Sequence, residues 1–147
     1  MAEHIHKRHN KTVLLYHLVC PVKYRNAVIT KEVSETIKTV CLAIAQRYEI
    51  HFVEIGTDED HVHFLLQSVP NILPSKMVQT IKSIIAKEVF KAHPAVKKEL
   101  WGGHFWTSGY YLNTVGQYAN EQVIKSYVKN QGKDYVQLHR QQLSLFT

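Results

Sequence analysis

Residues 50–68 read Ile50-His51-Phe52-Val53-Glu54-Ile55-Gly56-Thr57-Asp58-Glu59-Asp60-His61-Val62-His63-Phe64-Leu65-Leu66-Gln67-Ser68, and their pattern decides the fold. Residues 50–55 are a short run of strand formers, residues 56–60 an acidic turn, and residues 61–68 a second strand, so the stretch is a hairpin. On the second strand, alternation puts Val62, Phe64 and Leu66 on one face and His61, His63, Leu65 and Gln67 on the other. The apolar trio faces the core. That leaves His61 and His63 side by side on the open face.

Outward from the hairpin the elements are as readable. Residues 13–20 are rich in strand formers and stop at Pro21. Thr30 caps a helix whose apolar positions Val33, Ile37, Val40, Cys41, Ile44 and Tyr48 recur at helical spacing. A second helix starts at Pro74 and buries Val78, Ile81, Ile84, Ile85 and Val89, with Lys76, Lys82, Lys87 and Lys91 on its remaining faces. Residues 105–112 read as an aromatic strand framed by Gly102, Gly103 and Gly109. A last helix is expected over residues 114–131, stopped by Gly132, before a mostly polar stretch, residues 133–147, with room for one more short helix. The order strand, helix, strand, strand, helix, strand is the split βαβ pattern. It predicts an α+β, ferredoxin-like, four-stranded antiparallel sheet with helices on one face, plus an extra C-terminal helix. One domain spans 1–147, with its core at about 10–135 and peripheral tails at 1–10 and 136–147.

The chain has 147 residues, 45% of them hydrophobic, which suffices for an ordinary core. Eighteen Lys and Arg against twelve Asp and Glu give a net charge of +6, a balance that favours a polyanionic partner. The apolar runs are half the ~20 residues needed to span a bilayer, and the polar, basic N-terminal stretch, with no following h-region, does not read as a signal peptide. Cys20 and Cys41 lie on separate elements and read as reduced core thiols, so a cytoplasmic protein is expected.

There are ten histidines, but only His61 and His63 have informative spacing. An i, i+2 pair on a strand can share one ion. Taken singly, the pair fits an ordinary half-solvated sheet as well as it fits a site. Other histidine chemistries fail on their own motifs: position 65 is Leu, not a third alternating His; a paired His-x-Thr or His-x-Ser chemistry needs two such tripeptides, and His104-Phe105-Trp106 is not one; and His-Glu-x-x-His is absent. On the last helix Tyr127 and Gln131 stand one turn apart on one face. A phenol can act as a nucleophile and a carboxamide oxygen can ligate a metal. The stripe Val115, Ala119, Val123, Tyr127, Val128 equally fits plain packing.

The combination is more telling than its parts. Gly56-Thr57-Asp58-x-Asp60-His61-Val62-His63-Phe64-Leu65, then Leu100-Trp101-Gly102-Gly103-x-Phe105-Trp106-x-x-Gly109-Tyr110, then Thr114-Val115-Gly116 and Tyr127-x-x-x-Gln131 occur in order. This ordered set resembles the single-tyrosine HUH transposases of small bacterial and archaeal insertion sequences, over about residues 10–135. The resemblance implies a divalent ion, Mg²⁺ or Mn²⁺, held by His61, His63 and Gln131, with Tyr127 attacking a scissile phosphate to leave a 5′-phosphotyrosine and a free 3′-hydroxyl. It implies single-stranded DNA hairpins at element ends as substrate. It also implies a homodimer in which the tyrosine helix of one subunit can complete the histidine site of the other, with Gly116 and Gly132 as pivots or as ordinary caps. Lys82 and Lys87 are candidate DNA contacts, and Asp58, Glu59 and Asp60 read as a turn rather than as ligands. Because neutral imidazole is the binding form, activity is expected to fall below pH ~6.5. Three alternatives stay open: a domesticated relative acting on chromosomal palindromic repeats, an initiator-type nickase, and a non-catalytic single-strand nucleic-acid binder. The last would use exposed aromatics on the central strands, where this sequence offers His61 and His63 instead.

Overall fold

The computed structural model describes residues 6–7, 10–11, 14–115 and 134–137. Two short strands, β1 (His6–Lys7) and β2 (Asn10–Lys11), pair with each other. The main sheet begins with β3 (Leu14–Pro21), followed by helix α1 (Lys31–Arg47), the hairpin β4 (His51–Asp58) and β5 (His61–Ser68), helices α2 (Pro74–Ala92) and α3 (Pro94–Glu99), then β6 (Tyr111–Val115) and β7 (Asp134–Gln137). Its strand order is β6-β3-β5-β4-β7, with every neighbouring pair antiparallel. The four strands β6-β3-β5-β4 are the expected ferredoxin-like sheet.

Local sequence explains the helices. The Thr30 side chain accepts a hydrogen bond from the Val33 N–H at 3.2 Å and so satisfies one of the donors left over in the first turn of α1. Thr30→Ala is expected to cost about 1 kcal/mol of stability, read as a shift in the urea midpoint. Pro74 opens α2, where its fixed φ fits and its missing N–H costs nothing. Both helices lay their apolar stripes on one side of the sheet. Val33, Ile37, Cys41 and Ile44 of α1 and Val78, Ile81, Ile85 and Val89 of α2 are buried in one cluster with Val62, Phe64 and Leu66 of β5. Cys20 and Cys41 are buried free thiols in that core, and burial pushes the Cys20 thiol up to about 12. Among the described residues no helix is long and apolar enough to cross a membrane.

The structure corrects four expectations. The turn of the hairpin is two residues, Glu59 and Asp60; Gly56, Thr57 and Asp58 continue the strand. The tight turn is held from outside, because Val22 N–H donates to the Asp60 carbonyl at 2.8 Å and Ile29 N–H to the Glu59 carbonyl at 3.0 Å.

The aromatic strand expected over 105–112 starts only at Tyr111. Phe105 and Trp106 anchor a loop instead: both are buried, Trp106 Nε1–H donates to the Lys82 carbonyl at 2.9 Å, and a single bridge joins Trp106 to Val22. Gly102 and Gly103 enter that loop at φ of 95° and 79°, values other residues adopt at a cost. Thr114 and Val115 belong to β6, and residues 116–131 of the expected last helix lie outside the described residues. Within the polar C-terminal stretch, Asp134–Gln137 is a fifth strand on the edge of β4 rather than part of a helix.

Candidate metal and DNA-cleavage site

Strand register assembles the site. Across the sheet, Val19 stands opposite His63 and His17 opposite Leu65, so His17 shares the non-helical face with His61 and His63. That face is less open than the sequence suggests: His17, Glu54, His63, Leu65 and Gln67 are all buried. Leu15 and Leu65 among the polar residues were the available signal, since a face carrying leucines is not left to water. The other face holds the helices.

His61 and His63 are brought together, with ring centroids 4.6 Å apart at an interplanar angle of 78°. Each ring is engaged through its Nδ1. His61 Nδ1 lies 2.6 Å from Asp60 Oδ1, and its Nε2 lies 3.5 Å from Asp58 Oδ2. His63 Nδ1 is 3.3 Å from His17 Nε2, with the two rings stacked 6° from parallel. His63 Nε2 is buried and has no hydrogen-bond partner among the described residues. Burial, then the charges of His61 and His17, push the His63 imidazole down to about 3, so it is neutral throughout the working pH range. Burial also lowers His17.

Asp60 is held from its other side. Arg25 Nε–H donates to Asp60 Oδ2 at 3.1 Å and Nη2–H to Oδ1 at 3.2 Å. Hydrogen bonds from Arg25 and then from His61 hold the Asp60 carboxyl below its ordinary value. The turn that delivers Arg25 is unusual: Tyr24 and Arg25 have φ of 58° and 54°, a left-handed conformation that costs roughly 1–2 kcal/mol per residue without glycine. Arg25 and His17 were not singled out in the sequence, and Asp60 was read there only as part of the turn. Arg25 and Asp60 meet only through the turn after β3, and His17 is recognisable only once the register is known.

Two imidazoles are not a complete cation site. Among the described residues no group of three or more His, Cys, Asp or Glu could hold a metal ion, and Tyr127 and Gln131 lie outside the described residues. Lys82 is already engaged, since its ammonium donates to the Thr107 and Gly109 carbonyls at 2.8 and 3.3 Å and sits 5.6 Å from the Tyr110 ring centre. It fastens the loop to α2 and is a poor candidate for a free phosphate contact. Lys87 is exposed on α2. A groove of about 740 Å³ between α2 and the loop is lined by Lys23, Gln79, Lys82, His104 and Tyr110 among others, and does not include the histidine pair.

Comparison with known proteins places the chain among DNA transposases. The IS200-like transposase family model matches residues 10–131, and the chain belongs to that family of DNA transposases. It is 34% identical over 118 residues to the ISDra2 transposase TnpA of Deinococcus radiodurans, covering 80% of this chain and 84% of that one. The transposase of insertion sequence IS200 from Salmonella typhimurium is 25% identical over 123 residues, covering 84% of this chain and 80% of its own. Among solved structures, a crystal structure of a putative transposase from Deinococcus radiodurans superposes with a TM-score of 0.70 at 30% identity, over 87% of this chain and 98% of that one. A REP-associated tyrosine transposase bound to a REP hairpin shares the fold, with a TM-score of 0.54 at 10% identity over 84% of this chain and 67% of its own.

Proposed function

We propose that this transposase is a metal-dependent enzyme that cleaves and rejoins single-stranded DNA at insertion-sequence ends, with Tyr127 as nucleophile and His61, His63 and Gln131 as ligands of Mg²⁺ or Mn²⁺. The observation that carries the reading is the histidine pair. A buried Nε2 without a partner among the described residues, beside a second imidazole whose Nδ1 is already bonded, is a donor set suited to a cation. Nitrogen ligands with one oxygen ligand, next to phosphate, suit a hard or borderline divalent ion. When bound, such an ion supplies charge neutralisation at a phosphate oxygen.

The remaining chemistry belongs to the chain. The Tyr127 oxygen attacks phosphorus, its bond to phosphorus forms as the bond to the 3′-oxygen breaks, and the phenolic proton ends on the departing 3′-hydroxyl. The phosphodiester is conserved as a 5′-phosphotyrosine, so a later 3′-hydroxyl reverses the step on another strand and no external energy source is needed. The REP-hairpin complex of the related fold supports a folded single strand as the substrate, and a homodimer with composite sites is part of the same reading.

The test uses the full chain with labelled hairpin DNA, the matching duplex, and Mn²⁺ or Mg²⁺. A denaturation-resistant protein–DNA adduct is expected with the single strand and metal, and none with the duplex or with chelator. Failure to bind single strands at all would sink the reading, and binding without any adduct would favour the non-catalytic alternative.

A further inference from the structure

We propose that Arg25, Asp60 and His17 are positioning residues that fix, from the Nδ1 side, which nitrogen each histidine of the pair offers to a divalent cation. The inference rests on the metal reading above and assigns the residues that prepare the site for it.

A neutral imidazole carries one N–H, and the hydrogen bond at one nitrogen decides which. The Asp60 carboxylate, gripped by Arg25, can only accept, and at 2.6 Å from Nδ1 it is a much closer acceptor than Asp58 Oδ2 is to Nε2 at 3.5 Å, so the His61 proton belongs on Nδ1. The lone pair of His61 is then at Nε2. For His63 the choice lies between donating to His17 Nε2 through Nδ1–H and accepting from it. If His63 accepted, its own proton would sit on Nε2, a buried atom with no hydrogen-bond partner among the described residues. Orphaned buried N–H groups are rare, so the proton belongs on Nδ1 and the lone pair on Nε2. Both rings therefore present Nε2, and they do so before any ion arrives.

Arg25 completes the device. Its fork takes both Asp60 oxygens, fixing the carboxylate plane that His61 reads. As an ion pair its side chains are 58% and 29% exposed, and pairs that wet contribute little to stability. Two consecutive non-glycine residues in the left-handed region are nevertheless kept to put Arg25 there. That strain is better matched to aiming a ligand than to holding the fold.

The experiment uses the full chain stripped of metal, ¹⁵N-labelled at histidine, with tautomers read by NMR and Mn²⁺ affinity read by electron paramagnetic resonance of the free ion. The wild type is expected to show the Nδ1–H tautomer at both His61 and His63. Asp60→Ala is expected to mix the tautomers of His61 alone and weaken Mn²⁺ binding about 10- to 100-fold, with Asp60→Asn, which keeps an accepting oxygen, recovering part of the loss. Arg25→Ala should act in the same direction with a smaller effect. His17→Leu should move the tautomer of His63 alone, and His17→Gln should restore it in part. Nε2–H tautomers in the wild type overturn the inference, and so do folded variants with unchanged tautomers and unchanged affinity. A wild type with Nδ1–H tautomers but no Mn²⁺ binding overturns the metal reading instead.

Discussion

Tyr127→Phe is expected to leave no denaturation-resistant adduct on hairpin DNA, to lower strand cleavage by roughly 10³-fold or more, and to change hairpin affinity by no more than a few-fold. The substitution removes one oxygen and keeps the ring. What disappears is the atom proposed to form the bond to phosphorus. Water at the same place would cleave without a covalent product, so the adduct is a sharper readout than cleavage. An adduct that survives in Tyr127→Phe moves the nucleophile elsewhere. The register then nominates the next residue, because Tyr135 on β7 pairs with Gly56, and Gly56 pairs with His63. Tyr135→Phe and Tyr118→Phe run in parallel separate these outcomes. Loss of the adduct in either of them, with retention in Tyr127→Phe, would reassign the role.

How far the sequence carries the fold depends on where the information lies. The Thr30 cap, the Pro74 start and the apolar stripe Val78, Ile81, Ile85, Val89 are local signals, and the structure has each of them. The alternation around His61 and His63 is local too, and it correctly separates Val62, Phe64 and Leu66 from the pair. β7 is different: residues 134–137 become a strand because β4 has an edge to complete, a fact about another part of the chain. Phe105 and Trp106 mislead for a similar reason, since aromatic residues favour strands and here they pin a loop to α2. Of the candidate site, the two histidines are legible from spacing, while His17 is legible only from the pairing of β3 with β5. Arg25 is hidden further, because nothing in a Lys-Tyr-Arg triplet announces a left-handed turn. These misses share one cause: contact between distant segments decides them, and periodicity within a segment carries no record of it.

The metal-free chain loses stability on acidification in a window that the buried imidazole sets. An unfolded histidine titrates near 6.5, whereas folded His63 is pushed down to about 3 by burial first and by the charges of His61 and His17 after it. Above pH 6.5 both states leave the ring neutral, and His63 contributes nothing to the pH dependence. Between the two values the unfolded chain binds a proton that the folded chain refuses, so the contribution present above 6.5 is lost as the pH falls toward 3. The slope from one such group is about 1.4 kcal/mol per pH unit. His17 is lowered by burial and acts in the same direction.

Asp60 is lowered as well, but a carboxylate with that shift matters only below its ordinary value of 3.8, so it adds little between pH 4.5 and 6.5, and comparison with a non-titrating variant isolates His63. Urea midpoints measured with chelator at pH 6.5, 5.5 and 4.5 should therefore fall steeply in the wild type. His63→Gln, which cannot titrate, should fall more shallowly, so that the gap between the two proteins closes by about 1 kcal/mol or more per pH unit. Parallel slopes would show that the folded protein admits a proton at His63 as readily as the unfolded one, and the buried neutral imidazole would have to be abandoned. This also sharpens the expectation that activity falls below pH ~6.5. In that range His63 itself stays neutral, so a loss of activity there would have to begin at another group.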